Sequence, residues 1–341
     1  VPRTLCFGEI MMRLATPGYQ RLIQATTLEI TYAGGEANVA VSLAAFGHQA
    51  AFVTVLPDNE LGRAAAAHLR YYGVDTSPVI FSRGGRLGLY FLETGASQRP
   101  SKVLYDRAGS SIATAPPDVF PWPQLLQGCA AFHTTGITPA LGPLCAQATS
   151  EALRTARAAG ALTSFDLNYR SKLWSPEQAR ATIEPLLPLV DVLVANEEDA
   201  EQVLGIRADK TDVGSGRIDH AAYEQVAREI HRRYGCAVVA ITLRESESAS
   251  VNHWSACLLA DGRFYLSRRY TIHVVDRVGA GDAFCGGLLA ARLEGMPPQD
   301  ALEFAVAASC LKHTIPGDFN KVTRDEVLRL ARGDASGRVV R

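Results

Sequence analysis

The stretch "ALTSFDLNYRSKLWSPEQARATIEPLLPLVDVLVANEED", residues 161–199, decides the fold class. The runs "ALTSFDLN" and "VDVLVANEED" read as strands, and residues 176–187 between them read as a helix with turn residues at its ends. Both runs are too apolar to leave one face in water, which places them in a parallel sheet covered on both sides. Working outward, "TLCFGEI", "AAFVTVLP", "CAAFHTTG" and "CAVVAITLRE" read as further strands, alternating with helix candidates at 36–46, 60–72, 145–159, 220–234, 283–294 and 299–312. Strand-helix alternation of this kind predicts a doubly wound α/β architecture.

Two regions break the rhythm. Residues 10–33 and 79–107 carry short alternating strands without intervening helices, the pattern of a small sheet projecting from the body, and a sheet at the mouth of a cleft makes a lid. The domain reading is therefore a single unit over 1–341, with lid strands at about 10–33 and 79–107 and a core of 1–9, 34–78 and 108–330. Residues 207–219 read as a polar loop and 331–341 as a poorly ordered tail. Internal repeats and low-complexity tracts are absent from the sequence.

The 341 residues are 47% apolar, enough to bury a large core. Thirty-four basic and 35 acidic side chains leave a formal charge of -1, so nothing global draws the chain to nucleic acid or to an anionic membrane. An anion site must then be local. The first residues show no signal-peptide pattern and no segment approaches the roughly 20 apolar residues of a membrane span, so a cytoplasmic location is expected. Seven scattered cysteines with no C-x-x-C spacing are expected to be reduced and mostly buried.

The stretch "VVDRVGAGDAFCGGLLAARLEG", residues 274–295, sets a bare turn before a helix. Gly279 and Gly281 leave backbone N–H groups open to an anion where the helix dipole also favours negative charge. Phe284 rules out G-x-G-x-x-G, and no G-x-x-x-x-G-K-[ST] occurs anywhere in the chain. What remains is an anion hole with Asp282 at its rim, suited to accept a proton from a hydroxyl attacking phosphorus. Asp also commonly begins helices, and Gly-Ala-Gly also serves close packing, so the turn alone carries two readings. A second glycine-led helix start, "TYAGGEANVAVSLAAFG" at 31–47, favours the first, because Glu36 and Asn38 in its first turn suit a hydroxylated ligand.

The pair "GGEANVA" and "DRVGAGDAFCGGLLA", in this order, resembles the two signatures of the ribokinase (PfkB) family of carbohydrate kinases. Segments such as "DLNYRSKLW", "ANEEDAEQVLG" and "CLKHTIPGDF" are similar to its members acting on 2-keto-3-deoxygluconate, and the likeness runs over essentially the whole chain. The resemblance implies a three-layer α/β/α sandwich with a mostly parallel central sheet and a small β-sheet lid.

It also implies roles. Asp282 would be the catalytic base, with the N–H groups of Gly279, Ala280 and Gly281 as anion hole. Gly34, Gly35, Glu36 and Asn38 would meet the sugar, joined by Tyr90, Tyr105, Arg107, Arg170 and Asp318. Arg is suited to the carboxylate of a sugar acid, which it can grip with parallel hydrogen bonds. On the nucleotide side the resemblance implies Asn168, Arg170, Asn196, Thr242, Arg244, Gly279 and Gly281. Asn196 and Asp199 would help place Mg²⁺ through water, although Asp199 stands where the family pattern has Glu. Arg277 faces two candidate partners, a nucleotide phosphate and Asp276, and both stay open.

The implied reaction is transfer of the γ-phosphoryl of ATP to the 6-hydroxyl of 2-keto-3-deoxy-D-gluconate, with Mg²⁺ and a monovalent cation, K⁺, as accompanying ions. The partners are a small sugar acid and ATP, with neither nucleic acid nor membrane, and a homo-oligomer is expected from the strand-rich lid. The rivals are a fructokinase or ribokinase of the same family, and a sugar or nucleotide sensor without catalysis.

Overall fold

The computed structural model describes residues 3–207 and 220–334. The polar loop expected at 207–219 and the tail from 331 fall largely on residues outside this range.

Six strands form the parallel part of the central sheet, in the spatial order Gln49–Val53, Arg3–Phe7, Cys129–Thr135, Leu162–Asp166, Val192–Asn196 and Val238–Ser246. Val251–Ala260 adds antiparallel to the last of these, and Arg263–Leu266 and Tyr270–His273 both pair with it. Alternation along single strands explains the continuous apolar runs. Val192 and Val194 point into one core while Leu193 and Ala195 point into the other. Helices Gly35–Ala45, Ala280–Leu293 and Pro298–Lys312 cover the first face, and Pro143–Ala158 and His220–Tyr234 the second. The result is three layers, helix on sheet on helix.

The small sheet is separate. Its strands run Glu29–Ala33, Met11–Ala15, Gly88–Glu93 and Lys102–Asp106 in spatial order. The expected second lid segment begins too early, because Ile80–Ser82 pairs with Val55–Pro57 in a sheet of its own. For the same reason "AAFVTVLP" is two strands, Gln49–Val53 and Val55–Pro57. Unbroken β propensity does not reveal a change of sheet partner at Thr54.

Three other boundaries differ. "ANEED" leaves its strand at Asn196, whose side chain caps a helix, Glu197–Leu204, by accepting from the N–H groups of Glu198 and Asp199. The helix expected over 176–187 is α only to Ile183, then tightens to 3₁₀ over Glu184–Leu189, because Pro185 and Pro188 lack the N–H groups an α-helix requires. A capped helix at Arg324–Ala331 lay unassigned in the sequence. All seven cysteines are free and six are buried. Among the described residues no helix is long and apolar enough to cross a membrane.

Candidate active site

The chain leaves strand Arg3–Phe7 toward Gln49–Val53 on one side and later returns to Cys129–Thr135 on the other. Such a reversal of strand order opens a crevice at the carboxyl ends of the strands. A cavity of about 600 Å³ lies along those ends, reaching Asp166, Asn168, Asn196 and Thr242, and the small sheet brings Tyr105 and Arg107 to it. Arg107, Arg170, Lys172, Arg244 and Arg277 line it together with Asp166, Glu198, Asp199 and Asp282. A nearly neutral protein thus concentrates charge of both signs at one place.

The two glycines of the bare turn have different physical reasons. Gly279 caps helix Ala280–Leu293 at φ 83°, and a Cβ there would lie 2.1 Å from the carbonyl oxygen of Asp318. The fold itself excludes a side chain. Gly281 has neither constraint, since its Cβ would meet nothing within 4 Å, yet it lines the cavity. Its bareness leaves room for whatever occupies the site. Gly281→Ala is accordingly expected to melt like the wild type while losing about tenfold or more in kcat, as backbone donors lose their approach to charge; paired melting and rate measurements check it. The N–H groups of Gly281 and Asp282 are first-turn donors without helical acceptors. The Ala280 N–H turns back to the Arg277 carbonyl at 3.3 Å, while Ala280 itself lines the cavity beside its two glycines.

Asp282 sits in that first turn and is bound by the second glycine-led helix. Asn38 Nδ2 donates to its Oδ2 at 2.6 Å, while Asn38 Oδ1 accepts from Gly34 N at 3.3 Å. Burial pushes the Asp282 carboxyl up to about 7, against the pull of the Asn38 hydrogen bond and of Arg170. Gly34 is needed for packing, since a Cβ there would lie 1.9 Å from the Glu9 carbonyl oxygen. Gly35 is different, because its Cβ would only reach ordinary contact with Thr135, Asn168 and Asp282 Oδ1. The space it leaves adjoins the carboxylate.

The amino-acid pattern and the whole-chain likeness meet here. The model of the pfkB family of carbohydrate kinases matches residues 2–323. The chain belongs to the PfkB family. A 2-dehydro-3-deoxygluconokinase structure from Thermotoga maritima is 49% identical, with a TM-score of 0.93 over 97% of this chain and 98% of that one. A 2-dehydro-3-deoxygalactonokinase of Haloferax volcanii is 39% identical, covering 97% of each chain. A 2-dehydro-3-deoxygluconokinase of Thermoproteus tenax is 30% identical over 92% of this chain and 89% of its own length.

In this PfkB kinase the tertiary structure redistributes several expected roles. Gly34, Gly35, Glu36, Asn38, Tyr90 and Asp318 are not among the cavity's described lining residues, whereas Tyr105, Arg107, Asn168, Arg170, Asn196, Asp199, Thr242, Arg244 and Asp282 are. Glu36 is buried, and its Oε1 accepts from Thr135 N, Thr135 Oγ1 and Thr138 Oγ1 at 2.9, 2.8 and 2.7 Å. It ties its helix to the neighbouring strand. Tyr90 donates to Asp318 Oδ2 at 2.7 Å, and Asp318 is also ion-paired with Arg13, so both belong to a buried polar cluster. Arg107 reaches the cavity but is held by Glu9, with Nε 2.8 Å from Oε2. Arg170 donates only locally among the hydrogen bonds seen, to the Tyr169 carbonyl at 3.1 Å.

Asn196 and Asp199, expected to help place Mg²⁺ through water, cap each other's backbone and both also line the cavity. Arg277 lines the cavity and donates to the Ala249 carbonyl at 3.1 Å, while Asp276 is ion-paired with Arg13 instead. The kinase also holds residues that motif reading missed. Asp166 and Lys172 line the cavity, and Glu9 positions Arg107. Asp166 had a signal, a carboxylate ending a parallel strand where such folds bind ligands. Glu9 had none.

Proposed function

We propose that the protein transfers the γ-phosphoryl group of ATP to the 6-hydroxyl of 2-keto-3-deoxy-D-gluconate, giving 2-keto-3-deoxy-6-phosphogluconate and ADP. The observation that carries the reading is Asp282, a carboxyl raised to about 7 and held by Asn38 where a helix start opens on a cavity lined by arginines, a lysine and carboxylates. The relatives named for 2-dehydro-3-deoxygluconate and 2-dehydro-3-deoxygalactonate kinase activity support a keto-deoxy acid as acceptor.

In the step itself Asp282 takes the proton of the 6-hydroxyl as its oxygen bonds to phosphorus, and the bond to the bridging oxygen of ADP breaks. The N–H groups of Gly281 and Asp282 and the helix dipole stabilise the charge that gathers there. Arg244 and Arg277 approach the phosphates, and Arg170 with Arg107 meets the sugar carboxylate at the end nearer the small sheet.

Mg²⁺ carried on the nucleotide fits the same rim. Burial pushes Asp199 up to about 6 and Asp166 well above the usual carboxylate range, a condition that a nearby cation relieves. No three metal-ligating side chains converge among the described residues, in keeping with an ion held by one or two carboxylates, water and phosphate oxygens. Bound there it would offset charge on the phosphate oxygens.

The small sheet, with Tyr105 and Arg107 at the cavity, serves as a lid that keeps water from the transferring group. Its far face carries Ile30, Leu14, Phe91 and Leu104 in one cross-strand row, with Ile30 59% and Leu104 56% exposed. That row supports a homo-oligomer joined through the lid. Sedimentation of the wild type and of Ile30→Lys is expected to show an oligomer that the charge dissociates; two equal monomeric profiles would reject it.

ADP release with Mg·ATP against 2-keto-3-deoxygluconate, its galacto epimer, fructose, ribose and adenosine tests the function. Selective turnover of the gluco acid is expected. Preference for the galacto epimer would move the substrate, turnover of a neutral sugar alone would discard the arginine assignments, and binding without turnover would favour a sensor. Arg170→Ala is expected to raise KM for the acid about tenfold or more, from loss of a charged hydrogen bond, with Tm unchanged. Arg107→Ala differs, because it strands the Glu9 carboxylate in a buried site and lowers Tm as well.

A further inference from the structure

K⁺ is implied by the family likeness, and a monovalent cation that stiffened the turn Asp276–Gly281 would need oxygen atoms beneath it. The oxygens of Asp276 are already engaged. The Asp276 carbonyl accepts from Lys312 Nζ at 3.0 Å. The Asp276 carboxylate accepts from Val278 N at 3.1 Å through Oδ1, and from Gly317 N at 3.0 Å and Arg13 Nη2 at 2.5 Å through Oδ2. The residues present therefore do not fit K⁺ at this place.

Lys312 is 0% exposed, at the end of helix Pro298–Lys312. A lysine is almost never so buried without a partner of opposite charge. Here Arg13 is ion-paired with Asp276 and Asp318, and Lys312, resting on the Asp276 carbonyl, adds a second buried cation facing Asp276, Asp318 and Asp282. The same helix end grips the turn at two more points. Ser309 Oγ donates to the Ala280 carbonyl at 2.7 Å, and the His313 carbonyl accepts from Val275 N and Asp276 N at 2.9 and 3.1 Å.

We infer that the Lys312 ammonium is a built-in replacement for the monovalent cation, fixing the root of the anion-hole turn, and that this kinase needs no potassium. The inference rests on the kinase reading for its effect on rate, and on the turn's geometry alone for its effect on stability. Lys312 is a positioning residue, acting on phosphate through the backbone of the turn. Burial lowers its pKa, and Asp276 and Asp318 oppose the fall.

The experiment compares wild type and Lys312→Ala in tetramethylammonium chloride and in KCl or NH₄Cl at equal ionic strength, reading both kcat and Tm. The wild type is expected to show the same rate in all three within about twofold, as a site already filled gains nothing from added ion. Lys312→Ala opens the space of the side chain. It is expected to lose about tenfold or more in kcat in tetramethylammonium, as the turn's donors lose their alignment, and to recover most of it in K⁺ or NH₄⁺. Its Tm is expected to rise by about 4 °C in K⁺, by mass action of the bound ion, with the wild type unmoved. Several-fold activation of the wild type by K⁺ would overturn the inference, even if the variant did not fold. A folded variant indifferent to both ions in rate and in melting would overturn it as well, reducing Lys312 to packing. Should the wild type turn over no sugar, the kinase reading falls while the melting comparison still judges Lys312.

Discussion

Asp282→Asn is expected to lower kcat by about 10²–10⁴-fold, the usual worth of a general base, while the ligand-free protein becomes more stable above neutral pH. The two effects share one cause. Burial raises the Asp282 carboxyl from 3.8 to about 7, so the folded protein holds a proton there that the unfolded chain releases above pH 4. Where the folded state binds more protons, stability falls as pH rises, here between about 4 and 7, and the loss is complete above 7. A shift of that size corresponds to ~4 kcal/mol as an upper bound. Asparagine carries no charge to desolvate, and by turning its amide it can still accept from Asn38 Nδ2, which donates to Asp282 at 2.6 Å. A variant that is slower and melts higher at pH 8 is thus the expected signature. Equal rates would remove Asp282 from the base role, and a lower Tm would refute the burial argument. In the wild type, kcat/KM for the acid sugar is expected to climb with pH through about 7, the range over which the base loses its proton.

Arg13→Met is expected to cost about 3–5 kcal/mol, the usual penalty for stranding buried charge, and to lower Tm by about 10 °C. Arg13 lies inside the small sheet's inner face, one guanidinium nitrogen on Asp276 and the other on Asp318, with all three side chains buried. Without it two carboxylates lose their main counter-charge. Arg13→Lys should rescue little, because a single ammonium cannot span both acceptors as the planar fork does. Thermal melts of the three proteins check this, and a melting point within 2 °C of wild type for Arg13→Met would refute it. The effect also reaches function, since Asp318 carries Tyr90 of the lid and, through its carbonyl, abuts Gly279 of the turn.

Legibility followed the range of the interaction. The layers of the fold were visible because "VDVLVA" buries alternate residues on opposite faces, so both faces speak in one short run. The bare turn was visible because missing side chains at 279 and 281 are written directly into the chain, although the different reasons for them were not. Asn196 and Asp199 show the reverse case. The local pattern Asn-x-x-Asp also specifies a reciprocal helix cap, which its reading as a ligand motif left out, and both side chains still line the cavity.

Local chemistry by itself determined the α/β class, the two glycine-led helix starts and Asp282 as the carboxylate beside them, since periodicity, capping and backbone freedom act over a few neighbouring residues. Only the tertiary structure decided what the charged groups do. Arg107 meets Glu9 across 98 positions and Arg13 meets Asp318 across 305, and pairs at such separations leave no pattern in either neighbourhood. Burial compounds this, because desolvation is a property of the packed surroundings and turns Lys312 or Asp282 from an ordinary surface residue type into a group whose charge the whole fold must accommodate.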